Sequence, residues 1–269
     1  GSNRYIKKNL EDIQFDTIAM NSSLCKFTFP NPRSNDELLQ LKKQYRLEEL
    51  LKNRNTELKR AFFLLNWTHS RWKHDGNNAP QQYNPLYILE QAEKGAQYRC
   101  VEYGIVLSAT LNAINLPSRV LGIKTKDVET KKYGAGHIVS ETYIPSLNKW
   151  VFMDAQMNYI PFLNGIPLNA VEYKKAILFN RNKIELKNID GVLSKNNTDK
   201  IIDFVTPYLY YFDAPFDSKK EKRKCKDKTR LMLVPLGAKN PEFFQVNNRI
   251  DYCIYTNNIK DFYRKPTSQ

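Results

Sequence analysis

Histidine and cysteine are scarce in this chain, three and four among 269 residues. There is no C-x-x-C pair, and the spacings of Cys25, Cys100, Cys225 and Cys253 match no zinc pattern, so neither a metal centre nor another cofactor is expected. Four cysteines are also too few for a disulfide scaffold. Cys225 and Cys253 form one pair that an oxidising compartment would allow to bridge, a point the sequence leaves open. No apolar run approaches the roughly 20 residues that cross a bilayer, so no transmembrane segment is expected. Internal repeats are absent. So is any recognised nucleic-acid fold signature, which argues against specific nucleic-acid binding.

What is present suits a packed core: 41% hydrophobic and 12% aromatic residues, with 16 Tyr and 14 Phe. Lys and Arg outnumber Asp and Glu by 42 to 28, a net charge of +14 that permits attraction to an anionic polymer. The densest basic run, Lys219 to Lys228, has no interleaved aromatics and reads as a solvated loop. Gly1-Ser2 has the form of a tag-removal scar, so a periplasmic or secreted origin with a trimmed signal or lipid anchor is compatible with the chain.

Residues 3–33 read as irregular or extended. Ser34-Asn35-Asp36-Glu37 resembles a capping box that opens a helix running to about Leu51. Thr56 caps a second helix, with Leu58, Ala61, Phe62, Leu65 and Trp72 at three- and four-residue steps. Asn84-Pro85 begins a third, which stops at Gly95. The most apolar helix runs from Cys100 to about Asn115, apolar on most sides and therefore interior. Strands follow at 119–123, 137–144 and 149–153. Further on, Leu168–Phe179 reads as a helix and 180–198 as a polar loop. The stretches 208–212, 230–234 and 250–255 read as strands. Helices first and antiparallel strands after them imply an α+β fold.

A cysteine nucleophile needs a thiolate, a proton carrier and a group that orients the carrier. Cys100 heads the interior helix, where free amide protons favour a thiolate. His137 opens a strand, and Asp154 closes the next one. A turn centred near 146–147 predicts that positions 137 and 154 fall nearly opposite on adjacent strands, where a carboxylate can hold an imidazole. Taken singly, Cys100 reads as a buried thiol, His137 as an interior histidine and Asp154 as a turn former; the combination carries the reading. Glu102 is expected to bind a helix neighbour or a substrate amine, and His69 and His74 read as surface or interface groups.

Tyr98-Arg99-Cys100-Val101-Glu102-Tyr103, leading to Leu116-Pro117-Ser118-Arg119-Val120-Leu121-Gly122, resembles the core of bacterial-type transglutaminase-like proteins. His137-Ile138-Val139-Ser140-Glu141-Thr142-Tyr143 and Lys149-Trp150-Val151-Phe152-Met153-Asp154 resemble the histidine and aspartate strands of that family. The resemblance spans about residues 58–165, and Asn66-Trp67-Thr68-His69 resembles its upstream tryptophan helix. It implies a papain-like fold, with the Cys-headed helix packed on an antiparallel sheet and a Cys100–His137–Asp154 triad, and it makes Trp67, Trp72 and Gln97 rival side-chain donors to an oxyanion beside the amide of Cys100. The implied chemistry is hydrolysis or acyl transfer on a peptide, protein or carboxamide substrate, with protease or amidase activity ahead of cross-linking. On this reading residues 1–57 form an N-terminal extension with a helix, 58–165 the catalytic core, and 166–269 a C-terminal extension of strands packed on it. Two alternatives remain: a catalytically silent module that binds peptide or glycan, or a basic polyanion-binding protein.

Overall fold

The structure, a computed structural model, describes residues 12–18, 25–219 and 225–267. Among the described residues five helices come first: α1 (Asp36–Gln44), α2 (Leu47–Leu50), α3 (Glu57–His69), α4 (Pro85–Glu93) and α5 (Cys100–Ala113). Their starts follow the local chemistry. Asn35, Thr56 and Asn84 each accept a hydrogen bond from a first-turn amide of the helix that follows, which satisfies groups that have no intrahelical partner. The helix expected to run from the Asn35 region to Leu51 is broken. Arg46 adopts a left-handed conformation, φ 54°, and the turn there lets Leu41, Leu47 and Leu51 all be buried.

Six strands form the main sheet in the order β12-β9-β8-β1-β2-β3: β1 (Ser118–Lys124), β2 (Gly136–Ile144), β3 (Lys149–Met153), β8 (Tyr211–Pro215), β9 (Arg230–Leu233) and β12 (Cys253–Thr256). Neighbours are antiparallel except β9 and β12, which pair in parallel. The late strands thus extend the sheet that carries β2 and β3. The expected strand at 208–212 begins at Tyr211, after a 3-10 turn at Thr206–Tyr208. The 180–198 region is more ordered than a loop: β6 (Ile184–Asn188) joins β4 (Ile160–Leu163), β5 (Ile166–Pro167) and β7 (Gly191–Val192) in a second sheet, and α7 (Lys195–Val205) begins within it. The expected 168–179 helix is α6 (Ala170–Asn180). Two short pairs of residues, β10 (Phe243–Phe244) and β11 (Asn248–Arg249), and the helix α8 (Ile259–Phe262) complete the fold.

The main sheet separates two apolar layers. Val151 and Met153 of β3 pack with Leu64, Leu107 and Leu111 from the helices. Trp150 and Phe152 face the other layer with Tyr173, Ile202 and Phe212. This is the alternation a strand imposes when both faces are covered. The disulfide joins Cys25 to Cys225, not Cys225 to Cys253. Cys253 is instead buried and free in β12, its thiol pushed up to about 12 by burial and the Asp213 charge. Of the basic run from Lys219 to Lys228, residues 220–224 lie outside the described residues.

Candidate active site

Helix α5 lies along β2 and runs in the same direction. An added Cβ on Gly104 would stand 3.0 Å from Ile138 Cγ2, so glycine lets the helix approach the strand without displacing that side chain. One turn on, Ser108 Oγ meets Ser140 Oγ at 3.0 Å. Another turn on, Asn112 exchanges hydrogen bonds with the main chain of Ser118, whose strand partner is Thr142. Four helical residues advance about 6 Å and two strand residues about 6.6 Å, so the two elements stay in step. Stepping back one turn from Gly104 sets Cys100 beside the start of β2, where His137 stands. The polar groups on this interior helix are therefore a ruler that aligns the thiol with the imidazole.

His137 is 4% exposed and Asp154 is 1% exposed. His137 Nε2 lies 2.8 Å from Asp154 Oδ2, and Cys100 is a further group that raises the pKa of the ring. With Nε2 engaged by the carboxylate, Nδ1 is the nitrogen left for the sulfur. Asp154 Oδ1 accepts the Met157 amide at 3.1 Å, so both carboxylate oxygens are held. The strand register differs from the sequence expectation. Ser140 faces Met153, so continuing the ladder sets Asp154 opposite Val139, and the aspartate reaches His137 on the diagonal. Such neighbours lie on the same face and within side-chain reach. Burial opposes a charge on His137, but Asp154 and then Cys100 outweigh it and raise its pKa to about 10. The ring is thereby held as an imidazolium at neutral pH. Cys100 itself is partly exposed, as attack on an external substrate requires.

The helix tip is fixed by a fork. Arg99 Nε and Nη2 donate to the two oxygens of Glu102 at 2.9 Å each, and the Arg99 amide donates to Oε1 at 3.2 Å. Glu102 thus takes the role of helix neighbour. Trp72 lies against this first turn, its ring 4.5 Å from that of Tyr103 and 5.9 Å from that of Tyr98. Its carbonyl accepts the Tyr103 hydroxyl at 2.7 Å, while its buried indole N–H has no partner among the described residues. Trp67 packs instead with Tyr45 at 5.5 Å and under the Arg71 guanidinium. Gln97 is exposed, and its carbonyl accepts from Asn78. His69 does more than line the surface: its Nδ1 lies 3.0 Å from the carbonyls of both Ala155 and Gln156, on the turn after Asp154.

Two residues of the site escaped the sequence reading. Phe204 and Tyr208 place their rings 5.3 and 5.9 Å from the His137 ring. A helix signal was present: Ser194 precedes Thr198, Ile202 and Val205, an apolar stripe from which Phe204 departs. Among the described residues no cluster of His, Cys, Asp and Glu is suited to a metal ion.

Residues 44–155 match the family model described as the transglutaminase-like superfamily, a span that contains Cys100, His137 and Asp154. No curated protein matches the chain. Among solved structures, it is similar to a candidate cysteine protease from Cytophaga hutchinsonii, with 15% identity, a TM-score of 0.37, and coverage of 53% of this chain and 46% of that one. It is also similar to a candidate protease from Parabacteroides distasonis, with 14% identity, a TM-score of 0.33, and coverage of 61% and 28%. The chain thus spans less than half the length of either. Residues 44–155 of this chain are thus similar to the transglutaminase-like superfamily.

Proposed function

We propose that the chain is a cysteine hydrolase or acyltransferase acting on a peptide or carboxamide bond, with Cys100 as nucleophile, His137 as proton carrier and Asp154 as its orienting group. The observation that carries this reading is the 2.8 Å contact of His137 with Asp154, on a ring whose pKa Cys100 also helps to raise. In the first step the thiolate attacks the carbonyl carbon, and the oxyanion is met by the Cys100 amide, with the Trp72 indole N–H, which has no partner among the described residues, as the candidate second donor. Collapse breaks the C–N bond as the imidazolium gives its proton to the leaving amine. Water or a second amine then resolves the thioester, with His137 accepting the proton.

Iodoacetamide labelling at pH 6–7 tests the nucleophile. Cys100 is expected to label at least tenfold faster than Cys253, and His137→Ala is expected to remove that advantage. Equal, slow labelling of Cys100 in both proteins would leave the silent-module reading in place.

A second reading is favoured by a separate cleft of about 660 Å³ at the far end of α5, lined by Arg33, Lys42, Lys52 and Arg60 with Glu48. With the net charge of +14, it supports binding of an anionic polymer. Salt-dependent retention on heparin is the expected result; retention indifferent to salt argues against it.

A further inference from the structure

The chemistry of the proposed reaction fixes which part of a substrate meets which side chain. His137 hands its proton to the departing amine, so that nitrogen must come within about 3 Å of the ring. Whatever the amine carries then lies against the groups that touch the imidazole. Two rings do so: Phe204, edge-on at 5.3 Å, and Tyr208, tilted at 5.9 Å, themselves 5.4 Å apart. The ideal Cβ position of Gly134, in the loop before β2, is 3.7 Å from the Tyr208 hydroxyl, and that phenol senses the charge of Cys100. Both rings therefore belong to the space around the sulfur and the imidazole.

The segment that presents them is braced from behind. Thr198, Ile202 and Val205 of α7 are buried. Arg181 pairs with Asp203 at 2.7 Å, and the Thr206 hydroxyl donates to the Ile202 carbonyl at 2.5 Å. Phe204 is not part of that buried stripe and is 38% exposed. Its ring meets the imidazole on one side and solvent on the other, an arrangement suited to an apolar visitor.

We propose that Phe204 and Tyr208 form the leaving-group subsite, and that this subsite takes amines with an apolar or ring-bearing substituent. The proposal rests on Cys100 being the nucleophile. By microscopic reversibility an acyl acceptor enters where the leaving amine departed, so the same rings favour an apolar amine over water or a polar amine. In that step the amine lone pair attacks the thioester carbonyl. The C–N bond forms, the C–S bond breaks to return the thiolate, and the amine proton passes to His137.

The test needs no natural substrate. p-Nitrophenyl acetate acylates the full chain with a burst of p-nitrophenol, and Cys100→Ala serves as the blank. Phenethylamine and ethanolamine are then compared as acceptors at one pH, with the N-acetyl products quantified by mass spectrometry. Phenethylamine is expected to capture the acyl group at least about tenfold more efficiently, the scale of one apolar contact set. Phe204→Ala is expected to reduce that ratio to about twofold or less, and Phe204→Leu to restore part of it. A burst followed by equal use of the two amines overturns the subsite. So does a Phe204→Ala protein that slows with both amines alike and keeps their ratio. Absence of any burst overturns the nucleophile reading itself and this proposal with it.

Discussion

Asp154 reaches His137 diagonally across the β2–β3 ribbon, with Oδ2 2.8 Å from Nε2, while its other oxygen accepts the Met157 amide at 3.1 Å. One carboxylate therefore ties the imidazole to the turn that follows β3. His69 braces that turn through the Ala155 and Gln156 carbonyls. The ring orientation is set by a main-chain-anchored group rather than by a free side chain, which is the kind of restraint a proton carrier needs.

Asp154→Asn separates the charge of this group from its shape. An amide oxygen can still accept the Met157 amide, but the residue no longer stabilises an imidazolium and can enforce the wrong tautomer. Turnover of an activated amide is expected to fall by about 10²–10⁴-fold with little change in melting temperature. A loss below about fivefold would remove Asp154 from the mechanism.

The even offset of that diagonal explains how far the sequence could be read. A shift of two residues keeps side chains on one face, whereas a shift of one would have turned the aspartate away. The caps at Thr56 and Asn84, the apolar circumference of α5 and the strand patterns of β1 to β3 are local signals, and they named the three residues that the fold gathers, whereas the cap expected at Ser34 falls one residue later, at Asn35. Phe204 and Tyr208 were not legible because their role depends on where α7 docks, about 70 residues beyond His137 in the chain. β6 was hidden by its length, five residues amid polar neighbours. The Cys25–Cys225 bridge spans 200 residues, a separation at which spacing carries no information.

The raised pKa of His137 gives the alkaline limit of the proposed reaction. Its acid role requires the protonated ring, and a value of about 10 rather than the ordinary 6.5 moves the loss of that form upward. Cleavage of an amide, whose leaving nitrogen needs a proton, is expected to hold through pH 8–9 and decline as pH passes about 10. Acylation by p-nitrophenyl acetate, whose leaving group needs none, is expected to show no such decline. An amide profile already falling near pH 7 would contradict the raised pKa.

Trp72 and Trp67 predict opposite outcomes from the same substitution. Trp72→Phe keeps a ring between Tyr98 and Tyr103 but deletes an indole N–H that has no other partner among the described residues. If that N–H meets the oxyanion, kcat falls by about 10²-fold with KM little changed. Trp67→Phe, under Arg71 and against Tyr45, is expected to change stability by about 1 kcal/mol and leave kcat within about threefold. Equal effects in the two variants would exclude the assignment.

The disulfide ties the N-terminal segment to the turn before β9. Alkylation of the denatured, unreduced chain is expected to tag two thiols, Cys100 and Cys253, and four after reduction. Cys25→Ser is expected to lower stability by about 2–5 kcal/mol, since an open chain gains entropy when unfolded. A chain that shows four free thiols before reduction, under oxidising conditions, would refute the pairing.

Arg119 offers the sharpest test of how the C-terminal segment is held. Its side chain is fully buried, as is that of Glu141, and the two meet at 2.8 Å. The guanidinium also donates to the Phe262 carbonyl at 2.9 Å and lies 4.2 Å from the Trp150 ring centre and 4.4 Å from that of Phe262. Glu141 in turn accepts the Ala170 amide and the Tyr263 hydroxyl at 3.0 and 2.7 Å. One ion pair thus joins β1, β2, α6 and α8. Arg119→Met leaves a buried carboxylate without its countercharge, and the expected cost is about 3–5 kcal/mol by denaturant unfolding. Glu141→Gln in the same chain removes the stranded charge while its amide oxygen can still accept from Ala170 or Tyr263. The double variant is therefore expected to be more stable than Arg119→Met alone. If the two losses simply add, the pair does not act as a unit, and the attachment of α8 must come from its apolar contacts instead.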